Sequence, residues 1–141
     1  MVIKAVPAIQ DLAYSIGQRG CYFICLCSIA EKITSVEVDI LKTAKFMIDQ
    51  KLIDYDWVRP RAYKNSMYVF DADKILELLG CEDYKVNKQK ELPEGYDGFY
   101  VIRHTYKGST HFTLPDYDSY TDSPIIKNGR ITAYYLIEKK A

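Results

Sequence analysis

The chain has 141 residues, of which 48% are apolar and 27% charged, and its 19 Lys and Arg are matched by 19 Asp and Glu. Such a composition excludes a disordered chain, which lacks the apolar content, and a protein drawn to nucleic acid or anionic membrane by an overall basic field. One domain spanning 1–141, with a sizeable buried core, is the economical organisation.

Taken in chain order, the N-terminal residues from Met1 to Pro7 lack the long apolar stretch of a secretory leader. Cys21 to Ile29 is apolar except for Ser28. This run has roughly half the ~20 residues needed to span a bilayer, so the expectation is a cytosolic protein with no membrane segment. Because the run is apolar on nearly every face, it predicts a buried central helix that begins at Cys21. Thr34 and Glu37 have capping-box spacing, and Ile40, Leu41, Ala44, Met47 and Ile48 recur at helical period, which predicts a second helix over 35–50. Asp71 has the character of an N-cap, Ile75, Leu76, Leu78 and Leu79 form an apolar stripe, and Gly80 is placed to stop the helix.

After Glu82 the pattern turns to strands: 83–92, 99–106, 111–114 and 131–137 are rich in Val, Ile, Tyr, Phe and Thr. Pro93-Glu94-Gly95 and Lys107-Gly108-Ser109 separate them as turns, and Asn128-Gly129 has the composition of a tight hairpin. The expected fold is α+β, helical over 1–82 and strand-rich over 83–141.

Four cysteines occur, at 21, 25, 27 and 81. Disulfides within one helix are geometrically poor, and the C-x3-C-x-C spacing is not that of a zinc site, so no metal or other cofactor is expected. Cys25 and Cys27 read as packing residues. Cys21 differs by position, since it follows Gly20 at a helix start, where unpaired N–H groups and the macrodipole favour a thiolate. The chain has two histidines. His111 opens a short strand after a Gly-containing turn, and His104, inside an apolar strand, reads as structural. Asp116, Asp118 and Asp122 follow as groups able to orient an imidazole.

Gln18-Arg19-Gly20-Cys21-Tyr22-Phe23, then His111-Phe112-Thr113-Leu114, then Tyr117-Asp118-Ser119 together resemble the papain-like cysteine peptidase fold. Its small bacterial members, the double-glycine (bacteriocin-processing) peptidases, are the nearest type. Most of the chain also resembles a family of small bacterial and phage proteins of unknown function. That pattern is Gln-x-x-Gly-Cys-Tyr-Phe, a helical middle, His-Phe, Tyr-Asp and a closing Gly hairpin. The resemblance implies Cys21 as nucleophile, His111 as base, Asp118 as orienter of His111, and Gln18 with the Cys21 N–H as oxyanion donors. Asp122 is an alternative orienter and Gln10 an alternative oxyanion residue, because the family glutamine usually lies further upstream of the cysteine.

The implied reaction is acyl transfer on a peptide, amide or ester carbonyl. An alternative from another class is a papain-like scaffold without catalysis that binds a protein partner, for example as a phage product acting against host defence. Trp57 reads as a packing anchor. Arg59, Arg61 and Lys64 form a basic cluster too small for nucleic-acid binding. A winged helix-turn-helix built from 35–50 and 71–79 is disfavoured by the neutral charge and by the long gap between the two helices.

Overall fold

The computed structural model describes Leu12, Ile16 and residues 20–54, 67–115 and 124–141. Among these, four helices and six strands follow in the order α1 (Cys21–Thr34), α2 (Ile40–Asp49), β1 (Ile53–Asp54), β2 (Tyr68–Val69), α3 (Ala72–Leu78), β3 (Tyr84–Gln89), β4 (Phe99–Tyr106), β5 (Ser109–Thr113), α4 (Pro124–Asn128) and β6 (Arg130–Lys139). The fold is α+β. β1 and β2 pair as a small antiparallel ribbon, while the other strands form an antiparallel sheet in the order β3-β6-β4-β5. β5 is therefore an edge strand, with one row of backbone groups facing away from the sheet.

α1 is the central element, touching α2, α3, β4 and β5. Phe23, Leu26, Cys27 and Ala30 are completely buried and Ile29 almost so, as its nearly continuous apolar sequence requires. The helix begins where Gly20 lets it begin. The Gly20 N–H donates to the Ile16 carbonyl at 2.9 Å, and a Cβ at residue 20 would lie 2.6 Å from that oxygen and 2.9 Å from the Ile16 Cα. Only glycine fits against the preceding helical backbone at this joint.

α2 starts later than its periodicity suggests. Thr34 is the last residue of α1. Its hydroxyl donates to the Ala30 carbonyl at 2.8 Å and accepts the Val36 N–H at 3.1 Å. Ser35 then turns left-handed at φ 60 and ends the helix. The N-cap of α2 is Asp39, which accepts the Lys42 N–H at 3.0 Å. The Thr34–Glu37 capping box is thus not formed, because the Thr34 oxygen already serves the preceding helix. α3 behaves as its sequence dictates. Asp71 accepts the Lys74 N–H at 3.0 Å, Ile75 and Leu76 are fully buried, and Gly80 lies just past the end at φ 91.

In the sheet, Lys107 and Gly108, at φ 48 and 80, make the two-residue turn joining β4 to β5, the turn that matches strand twist. Asn128-Gly129 is not a hairpin. Asn128 closes α4, and the Gly129 N–H donates to the Ile125 carbonyl at 3.1 Å, while β6 pairs with the distant β3 and β4. A bulge interrupts the β4–β6 register between Arg103 and His104. Among the described residues no helix is long and apolar enough to cross a membrane.

Candidate active site

Cys21 is the first residue of α1, and Gly20 before it offers no capping side chain. The backbone N–H groups of Phe112 in β5, and of Tyr22 and Cys21 at the helix start, favour the ionised sulfur. Tyr22, the next residue, stacks on Phe112, so the start of α1 meets β5 one residue from His111.

An aromatic cluster fixes this junction. The Tyr22 ring stacks on Phe112 at 4.7 Å and 24°, and lies 5.1 Å from Tyr135 of β6. Phe112 and Tyr135 meet edge-to-face at 5.7 Å. Each pair adds about 0.5–1.5 kcal/mol beyond the area it buries. The start of α1 is thereby pinned against β5.

His111 lies mid-strand in β5, directly opposite His104 of β4. Side chains alternate along a strand, so His111 and Thr113 leave the face opposite to Phe112. His104 is buried, and its Nε2 is 2.9 Å from the Thr113 hydroxyl, which gives it a structural partner. Burial, followed by the charge of His104, holds the His111 imidazole below its usual range, and burial does the same to His104. Both rings are therefore neutral at pH 7.

The sulfur is held in the opposite sense. Burial pushes the Cys21 thiol up, and the three N–H donors, which pull it down, do not reverse this. An ionised sulfur, as the helix start alone suggests, is therefore not the resting form; desolvation outweighs the dipole. Deeper in the helix, burial drives Cys25 and Cys27 up to about 12, as befits packing residues. All four cysteines are unbridged.

These shifts set a pH window for stability. Depressed histidines mean that the unfolded chain binds more protons below the free-imidazole value, so stability falls as pH drops through ~6.5. Raised thiols mean that the unfolded chain releases protons first, so stability falls as pH climbs above ~8.5. Urea midpoints measured across pH should peak between these limits.

The structure thus brings the start of α1 against the strand that carries His111, while the His111 side chain leaves that strand on the face opposite to Phe112 and Tyr22. Gln10, Gln18, Asp116, Asp118, Asp122, Trp57, Arg59, Arg61 and Lys64 lie outside the described residues. Neither Tyr135, a member of this aromatic cluster, nor Arg103, which donates to the Tyr135 hydroxyl, stands in a motif the sequence singles out. The available signal was the alternation Phe99, Val101, Arg103, which sets a cation on the apolar face of β4. Among the described residues no group of His, Cys, Asp and Glu is arranged to hold a metal ion. No known protein family, curated protein or solved structure matches the chain.

Proposed function

We propose that the chain is a small papain-like cysteine hydrolase acting by acyl transfer, with Cys21 as nucleophile and His111 as general base. The observation that carries this reading is the stacking of Tyr22, next to Cys21, on Phe112, next to His111, at 4.7 Å. It joins the helix that bears the one residue to the edge strand that bears the other. A raised thiol and a depressed imidazole describe a neutral pair, in which the proton moves only as the sulfur attacks.

In this mechanism His111 takes the Sγ proton while the sulfur bonds to the carbonyl carbon. Negative charge then collects on the carbonyl oxygen beside the N–H groups at the start of α1, with Gln18 as a further donor. The amine or alcohol leaves with the proton from His111, giving a thioester on Cys21. Water, deprotonated by His111, attacks that thioester and releases the acid and the free thiol. Asp118 holds the imidazole tautomer, and the substrate class is a peptide or other amide or ester.

A second reading is a non-catalytic papain-like scaffold that engages a protein partner, as in a phage product aimed at host defence. The direction in which the thiol titrates favours it. Incubation with p-nitrophenyl acetate separates the two. The hydrolase reading predicts a burst of nitrophenol, an acetyl group mapped to Cys21 by mass spectrometry, and then slower steady release. Absence of acetyl at Cys21 removes the hydrolase reading and leaves the scaffold.

A further inference from the structure

On the sheet face turned away from α1, Leu136 of β6 is 2% exposed yet is not packed into the core around that helix. Its register partners are Tyr100 of β4 and Asn87 of β3, and residues paired across strands leave the sheet on one face. Tyr134 and Glu138, two residues to either side of Leu136 on β6, leave on that face too. The Tyr100 ring meets Tyr134 at 6.1 Å and 62°, and Tyr96 at 5.9 Å and 67°. The Tyr96 hydroxyl donates to the Phe99 carbonyl at 3.0 Å, which holds its ring in place. Three half-buried rings therefore stand inclined to one another rather than as a flat platform. Inclined rings can offer more than one π face to a single cation, which coplanar rings cannot.

A carboxylate borders the rings. Gln89 Nε2 donates to Asn87 Oδ1 at 3.0 Å, and Asn87 Nδ2 donates to Glu138 Oε1 at 3.0 Å. One amide bond orients the Glu138 carboxylate and leaves most of its about four acceptor sites for a ligand. Burial first, and then the negative charges of Glu138 and Asp97, hold the Tyr96 phenol above its usual range. Lys85, opposite Glu138 on β3, is exposed, so water and salt screen its charge. A phosphate or a nucleic acid meets the wrong sign beside Glu138. A guanidinium matches on both counts, because it stacks on aromatic faces and its forked donors fit a carboxylate. A compact ammonium lacks the second match.

We propose that Tyr96, Tyr100, Tyr134 and Glu138 form a docking site for an arginine side chain of a protein partner. Asn87 and Gln89 are positioning residues that fix the Glu138 carboxylate. Because the site lies on the sheet face opposite to Tyr22 and Phe112, it is independent of the reading of Cys21.

Nuclear magnetic resonance of the whole chain with ring-labelled tyrosine reads the site, with N-acetyl-arginine amide titrated against N-acetyl-citrulline amide, its neutral isostere. Arginine should shift the Tyr96, Tyr100 and Tyr134 ring signals with a dissociation constant on the order of millimolar. Citrulline should bind about fivefold more weakly at low salt. Glu138→Gln, which keeps an oxygen for Asn87, should narrow that preference to about twofold. Equal binding of the two by the wild type, no shift of these rings, or a preference undiminished in Glu138→Gln overturns the site. Choline is the further arm, and tighter binding of choline than of arginine at these rings overturns the assignment to a guanidinium.

Discussion

Replacing His111 with Ala is expected to slow acylation of Cys21 by roughly a hundred- to ten-thousand-fold at pH 7, the usual contribution of a positioned general base. The size follows from the state of the sulfur. Burial keeps Cys21 protonated, so without a base very little thiolate exists to attack. A thiolate favoured by the helix start alone would make the same substitution nearly harmless. Stopped-flow measurement of the nitrophenol burst gives the rate directly. His104→Ala is the control: His104 is engaged with Thr113, so its loss should lower stability far more than it lowers the burst rate.

Phe23→Ala is expected to cost about 3–5 kcal/mol of folding free energy and roughly 10–20 °C in melting temperature. Phe23 has no exposed surface and sits in the first turn of α1, which packs on two helices and two strands at once. No neighbouring element can collapse into the space without breaking another contact, so the cavity stays open. Leu78→Ala makes the contrast. It removes a similar apolar side chain, but from a residue 42% exposed, and should change stability by less than about 1 kcal/mol. Chemical denaturation of the two variants measures the difference.

What was legible in the sequence was whatever is decided locally. The helix beginning at Cys21 follows from an apolar run behind Gly20, and α3 follows from the Asp71 cap and the Gly80 stop. The strand 99–106 follows from its residue types. The start of α2 is later than the Thr34–Glu37 spacing predicts, because the Thr34 hydroxyl is engaged by Ala30 and Val36 and Asp39 caps the helix instead. Asn128-Gly129 misled because the same dipeptide can end a helix, and Pro124 four residues earlier begins one.

The order β3-β6-β4-β5 depends on pairings far apart in sequence, so nothing local marks His111 as lying on an edge strand. The same holds for the candidate site. The order of Cys21 and His111 in the chain carries the resemblance to papain-like peptidases and no more. The rise of the thiol and the fall of the imidazole do not follow from the residues themselves. They come from burial, joined at His111 by the neighbouring His104, and burial is a property of packing. Arg103 was hidden for a similar reason, since only the sheet register sets it opposite Phe112 and within reach of Thr132 and Tyr135.

The alkylation rate of Cys21 with iodoacetamide, followed across pH in the wild-type protein and in His111→Ala, tests the Cys21–His111 pair most directly. A working pair predicts a wild-type profile with a reactive plateau that falls away only below the ordinary imidazole value of ~6.5, together with a variant that reacts only above the ordinary thiol value of ~8.5. Two superimposable profiles, each rising only in the alkaline range, would contradict it.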